Sequence, residues 1–259
     1  MILMMKTNPV QQNYQSYYQG HEQFISSIRD IFRRVEKRNM GVLTSFLSPV
    51  EVQILSMMAP STISVVFDGG YLNAERKVAC LCPLDSIPFC DVVCLIADVD
   101  SRFSHISHSD ILGALMNLGI ERDVLGDLIV YDNKIYIFVK AVLVDYIVDN
   151  CKQIRNIPVC FSREYDCIDL PRFSEEIQIN VSGYRADCIV SALAKCSRKQ
   201  ATELIHRGFV KRNDIVLEEN KQLCNNDYVS IRKVGRFRLL GQVATTRKKR
   251  MVLRFEKFI

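Results

Sequence analysis

No stretch of this 259-residue chain approaches the run of about 20 apolar residues that a helix needs to cross a bilayer. No membrane partner is therefore expected. Met1 to Met5 is apolar, but it lacks the basic flank and length of a secretory segment, and Gln- and Tyr-rich sequence follows. The ten cysteines are spread too thinly for a disulfide scaffold, which is usually short and secreted. The expected compartment is the reducing cytoplasm, where such thiols serve as small buried hydrophobes. With 48% hydrophobic and 24% charged residues, the composition is that of a folded chain and excludes extensive disorder.

Signatures of catalysis are scarce as well. Gly69-Gly70 has neither the length nor the Lys-Ser/Thr of a phosphate-binding loop, and reads as a turn. His108-x-Asp110 suggests an acid–base pair or a kinase loop, but a kinase needs Asn five residues after the Asp, where Leu115 stands. A capping role is the better reading. Cys80-x-Cys82 and Cys90-x₃-Cys94 do not follow the spacing of a zinc ribbon or finger. Residues 1–180 hold neither a synthetase nucleotide motif nor a pseudouridine-synthase catalytic segment. The expectation is a protein that is not an enzyme and carries no cofactor or metal. An RNA-modifying enzyme with an unrecognised catalytic body remains an alternative.

What the chain does have is charge asymmetry. Residues from 182 onward carry 18 Lys+Arg against 7 Asp+Glu, while the remainder carries 16 against 22. A basic end on an acidic body is the footprint of a module that binds a polyanion. Pattern divides the chain into an N-terminal α/β domain (1–83), a middle α/β domain (84–165), a linker (166–182) and a C-terminal domain (183–259). The fold class is α+β. In the first domain, Phe24, Ile25, Ile28, Ile31, Phe32 and Val35 mark an amphipathic helix. Ser48-Pro49-x-Glu51 opens a second helix, and Ile63–Phe67 reads as a strand. The middle domain reads as strand (92–97), helix (109–118, ended by Gly119), strand (135–139), helix (141–150) and strand (157–161). That order suggests an RNA-recognition-motif-like sandwich, although Lys134–Lys140 lacks the glycine and aromatic spacing of the RNP signature.

The C-terminal domain opens with a helix carrying Cys188, Ile189, Ala192 and Leu193 on one face. A second helix starts at the Ser197/Gln200 capping box, buries Ala201, Leu204 and Ile205, and ends at Gly208. Strands at 209–212 and 215–217 meet at Asn213-Asp214, and another strand follows at 229–233. Two helices packed on a small antiparallel sheet place Arg185, Lys195, Arg198, Lys199, Arg207, Lys211 and Arg212 where they can converge on one phosphate-binding surface. The helix N-terminus at Ser197 adds backbone amides to it. Arg232, Lys233, Arg236 and Arg238 form a second basic set, and Arg247-Lys248-Lys249-Arg250 sits at the tip of a hairpin from 237–243 and 251–258.

The order Arg185-x-Asp187, Ser197-Arg198, Ala201, Leu204-Ile205, Gly208, Val210, Asn213, Val216, Asp227 and Val229-x-Ile231 resembles the S-four RNA-binding domain. It departs from that pattern at Ala186, Asp214 and Asn226, the last two at turns where Asp and Asn tolerate positive φ. Phe46-Leu47-Ser48-Pro49-x-Glu51 with Gly69-Gly70-Tyr71-Leu-Asn-Ala74-Glu75-Arg76-Lys77 resembles the first domain of the bacterial YlmH family. The run from His108 through Asp110 and Gly119 to Leu125-Gly126-Asp127 is similar to its middle domain, with Ser109 where the family usually has Arg. The resemblance implies a cytoplasmic, monomeric protein that binds ribosomal RNA and tRNA on the large ribosomal subunit. Its role there would be in ribosome-associated quality control, holding peptidyl-tRNA in the P site while a tailing factor adds C-terminal alanines. An adaptor in cell division or photosystem assembly is the remaining alternative.

Overall fold

Helix-period spacing of Ile25, Ile28, Phe32 and Val35 puts these residues on one buried stripe of α1 (Glu22–Arg38). The computed structural model describes residues 20–99, 106–166, 168–171, 173–218 and 220–258, so the Met1–Met5 run lies outside the described residues. The chain divides into two units, Met1–Pro171 and Arg172–Ile259.

In the first unit, α1 and α2 (Pro49–Met58) pack on a three-stranded antiparallel sheet of β1 (Val42–Leu47), β3 (Lys77–Pro83) and β2 (Ile63–Asp68), with β3 central. The α2 capping box forms as expected. Ser48 Oγ accepts from the Glu51 amide, and the Glu51 carboxylate accepts from the Ser48 amide at 2.7 Å. Strands β1 and β3 were not among the expected elements. Val78 to Cys82 is buried throughout, so β3 shows no polar–apolar alternation to reveal it.

A second sheet in this unit has the order β5 (Leu125–Tyr131), β6 (Lys134–Lys140), β4 (Val92–Asp98), β9 (Ser162–Glu164). With α3 (His108–Asn117) after β4 and α4 (Val144–Asn150) after β6, the chain order is βαββαβ, the split arrangement of the expected sandwich. Leu95, Ala97, Ile135, Ile137 and Val139 face Ile111, Leu115, Val144 and Ile147 of the helices. Two details differ from the sequence reading. Strand β5 is additional, joined to β6 by Asp132-Asn133, both at positive φ as a tight hairpin turn requires. Of the strand expected at 157–161 only β8 (Ile157–Pro158) forms, in a small hairpin with β7 (Gln153–Ile154), and the edge strand β9 starts beyond it at Ser162. Pro158 has no amide to donate to a longer ladder.

The second unit is a six-stranded antiparallel sheet with two helices on one face. Its order is β10 (Ser174–Val181), β15 (Met251–Phe258), β14 (Gly235–Thr245), β13 (Tyr228–Ile231), β11 (Val210–Arg212), β12 (Ile215–Val216). Helices α5 (Ala186–Leu193) and α6 (Arg198–His206) bury Ile189, Leu193, Ala201 and Ile205 against Val210, Val229, Phe237, Leu239 and Phe255. The segment expected as a linker contains β10, which pairs with β15 from Ser174↔Phe258 to Val181↔Met251. Ile177, Ile179 and Val181 alternate with polar residues and take one face of the sheet. The turn at Asn213-Asp214 forms with φ of 51° and 66°, and Asn226 sits at 68°.

Candidate nucleic-acid interface

Arg185 precedes the first turn of α5 and Arg198 is the first residue of α6. Between them stands Asp187, whose side chain is only 5% exposed. Its Oδ1 accepts from Arg185 Nε at 3.2 Å, and its Oδ2 accepts from Arg198 Nε at 3.0 Å and from Arg198 Nη2. The Asn220 side chain accepts from the Asp187 amide at 2.9 Å. Burial alone would raise the Asp187 carboxyl, but hydrogen bonds from Arg198, Asn220 and Arg185 outweigh it and hold the group well below the usual carboxylate range. The carboxylate in turn pushes the Arg198 guanidinium up. Arg185 and Arg198 remain 57% and 58% exposed. One buried anion thus fixes two guanidinium groups while leaving outward N–H donors on both, a geometry suited to bidentate phosphate contacts.

The turn from α5 into α6 supplies the surroundings. Lys195 is exposed at positive φ (51°). Ser197 accepts from the Gln200 amide at 3.2 Å and caps α6, and Lys199 is exposed beside it. Arg207, at the other end of α6, pairs with Glu203 at 2.6 Å on the surface.

The expected basic residues do not share one face. In β14, Phe237 and Leu239 point into the core, so Arg236 and Arg238 point to the opposite side of the sheet. The register Lys211↔Ser230↔Arg236 puts Lys211 on that side too, where Tyr228 and Glu256 are buried and the Arg236 side chain is 25% exposed. There Arg236 lies over the Tyr228 ring at 4.9 Å and near Asp214 Oδ1 at 3.5 Å. Arg238 lies 5.6 Å from the Tyr228 ring centre and donates to Asn226 Oδ1 at 3.2 Å. Arg232 covers Phe209 at 4.9 Å, and Lys233 occupies the β13–β14 turn at φ 66°.

Arg212 departs furthest from the sequence reading. Its side chain is 14% exposed and Nε donates to the fully buried Asp227 Oδ2 at 2.7 Å. Asp227 also accepts from Asn213 Nδ2 at 2.9 Å and from the Cys224 amide at 2.6 Å. These contacts staple the turns at 213 and 226, so Arg212 belongs to the scaffold rather than the surface. Sequence reasoning missed Asp187 and Asp227 as the organisers of the basic residues. The available signal was an Asp fixed in position among arginines that an RNA surface would otherwise keep free of acid.

The first-unit motifs build a joint. Tyr71 Oη donates to Asp127 Oδ2 at 2.8 Å, and the Glu75 and Arg76 amides donate to the same carboxylate at 2.7 and 3.1 Å. Arg76 reaches the Leu125 and Phe46 carbonyls at 3.0 and 2.8 Å. Arg122 Nη1 bonds the Leu125 and Gly126 carbonyls at 2.7 and 2.8 Å. Burial and the neighbouring Arg76 pull Arg122 down to about 10, and burial with the Asp127 charge pushes the Tyr71 phenol up. Tyr71 stacks on Phe138 at 4.7 Å. A Cβ on Gly70 would lie 2.5 Å from the Phe138 ring, and one on Gly126 would lie 2.7 Å from Phe46. The glycines therefore permit close approach of the two sheets' elements. Asp110 caps α3 through Ser107, whose amide donates to it at 2.9 Å. Burial pushes the Cys90 and Cys94 thiols up to about 11 and about 12, leaving them protonated at neutral pH.

Two family models match this chain. "YlmH, N-terminal" covers residues 20–85 and "Putative RNA-binding domain in YlmH" covers residues 91–165. A relative from Bacillus subtilis (strain 168), named ribosome-associated protein quality control protein P2, is 28% identical over 251 residues, spanning 94% of this chain and 98% of the relative. A solved structure described as cell division protein ylmH from Streptococcus pneumoniae shares the fold at a TM-score of 0.50 and 23% identity, covering 56% of this chain and 91% of that one.

Proposed function

Because this chain belongs to the YlmH family, we propose that it is a ribosome-associated RNA-binding protein acting in translational quality control. The observation that carries the reading is the arginine pair held by Asp187 on the α5–α6 layer of a strongly basic unit. The helix pair over a sheet supports an S-four-like assignment for this unit. Arg185, Ser197, Arg198 and Lys199 contact phosphates there, flanked by Lys195 and Arg207. Lys211, Arg236 and Arg238 form a separate anchor on the sheet face away from the helices, with Arg232 and Lys233 at its edge. The partners are ribosomal RNA and tRNA on the large subunit, together with the factor that tails stalled chains with alanine. The protein is cytoplasmic, monomeric and non-enzymatic. Among the described residues no helix is long and apolar enough to cross a membrane.

Sedimentation of the tagged protein through sucrose gradients of bacterial lysate tests this reading. The expected result is co-migration with large subunits carrying peptidyl-tRNA at low salt. That association is lost at high salt, since several phosphate contacts together lose roughly 10³–10⁵-fold in affinity between 50 and 200 mM. Protein remaining at the top of the gradient under both conditions overturns the ribosomal assignment.

A further inference from the structure

A domain built like the middle one has two faces on which RNA can lie, and here one is obstructed. The face of the β5-β6-β4-β9 sheet away from α3 and α4 carries Phe138 and Gly126. Phe138 is stacked under Tyr71, and Gly126 is in close contact with Phe46. Base stacking on the centre of that sheet is therefore blocked by the first domain's own residues. The opposite, helical side carries a cleft of about 560 Å³ between α3, the end of α4 and the β7–β8 hairpin. This volume falls within the roughly 300–1,000 Å³ of sites that hold a small organic ligand.

The lining is apolar over most of its area, with polar side chains set around it, of which Ser109, Asn150 and Lys152 also bond to Ser107, the Tyr146 carbonyl and the Val148 carbonyl. Ser109 and Asn117 project from α3, Asn150 from the end of α4, and Gln153 from the hairpin. Lys152 and Arg155 bring two cations against one acid, Asp110. That acid is already engaged by Ser107, and Arg155 lies 3.8 Å from it while remaining 58% exposed. Arg155 is held at a positive φ of 55° at the hairpin turn, a conformation that disfavours its side chain yet places it at the rim. Gly113, in the middle of α3, also lines the cleft, and a Cβ there would meet nothing within 4 Å. A mid-helix glycine lowers helix stability relative to alanine, and no packing contact here calls for one. Its effect is to leave bare helix backbone open to whatever enters.

We propose that this cleft binds one unstacked nucleotide of single-stranded RNA. Asn117 and Gln153 supply donors and acceptors for a base edge, and Asn150 its side-chain oxygen, its amide nitrogen donating to the Tyr146 carbonyl at 2.8 Å. Arg155 supplies the charge for the phosphate, with Lys152 beside it, whose ammonium also donates to the Val148 carbonyl at 2.8 Å. The site deepens the RNA-binding reading and rests on it, but it is separate from the basic surfaces of the C-terminal unit.

The test uses the full chain and labelled single-stranded RNA octamers, one for each base, followed by fluorescence anisotropy. Purified large subunits are titrated in parallel. Gly113→Leu puts a bulky side chain into the cleft from a position where its Cβ meets nothing within 4 Å, and Arg155→Ala removes the rim charge together with its 3.8 Å ion pair to Asp110 at the start of α3. Each is expected to weaken octamer binding by about tenfold or more, the scale of one lost charge-assisted contact. Gly113→Leu should do so with an unchanged or raised melting temperature. Octamer affinities equal to wild type in both variants overturn the cleft, as does wild-type protein that binds subunits but no octamer. Wild-type protein that binds neither overturns the RNA-binding reading itself, and the cleft with it.

Discussion

Replacing Asp187 by Asn separates two accounts of the basic surface. If affinity followed net charge alone, removing an acid beside Arg185 and Arg198 would tighten RNA binding. The structure predicts the opposite. Asp187 holds both guanidinium groups in place while more than half of each side chain faces solvent. An amide keeps the size and one acceptor oxygen but loses the charge-assisted bonds. Each arginine must then be ordered when RNA binds, at about 0.5–1.5 kcal/mol per immobilised side chain. Against this, one exposed charge interaction regained in salt is worth about 0.2–1 kcal/mol. The net expectation is a weakening of roughly three- to tenfold, measured as the Kd for large subunits at fixed salt. Stability also falls, because hydrogen bonds to a charged group contribute about 1.5–3 kcal/mol and the arginines can be partly resolvated. Binding is therefore measured well below the variant's melting temperature. Unchanged or tighter binding by a folded D187N protein refutes the pre-organisation argument.

The same carboxyl gives a pH signature. Its folded pKa is depressed, so its contribution is fully present above the unfolded value near 4 and is lost as pH falls through the folded one. The stability gap between wild type and D187N should be constant at neutral pH and narrow only below about pH 4 in urea titrations. Asp227→Ala removes the partner of a buried arginine and should cost about 3–5 kcal/mol by denaturant unfolding. Gly70→Ala, at φ 87° and against Phe138, should destabilise the first unit by roughly 2–5 kcal/mol. By contrast, Gly113→Ala should stabilise the protein by about 0.5–1 kcal/mol, read as a raised thermal midpoint.

Local signals were the legible part of this fold. Helix α1 and the capping boxes at Ser48 and Ser197 formed where spacing and side-chain chemistry placed them. The positive-φ turn at Asn213-Asp214 did so too. Strand β3 was hidden because it is buried throughout, and a continuous apolar run carries no period. Strand β10 did carry a period-2 signal in Ile177, Ile179 and Val181. Its charged exposed face and its position before the helix pair made it resemble a linker, and only the long-range pairing with β15 resolves it.

The basic site was half legible. Which residues are cationic is written in the chain, but which face each occupies depends on sheet register. Register sends Lys211, Arg236 and Arg238 to the face away from the helices and Arg212 inward to Asp227. The resemblance motifs around Tyr71, Arg76 and Asp127 proved to build a buried joint. Sequence spacing alone gives no indication that residues some 50 positions apart share one carboxylate.

The most direct test of the central claim is the salt dependence of affinity for purified large ribosomal subunits, comparing wild type with the exposed-surface variant Lys199→Glu. The account predicts a steep linear fall of log affinity with log salt in the wild type. The variant should bind more weakly and with a shallower slope, because one phosphate contact contributes about 0.7–0.9 to it. A wild-type affinity that is flat with salt, or a variant with the same affinity and slope as wild type, contradicts an RNA surface centred on the α5–α6 layer.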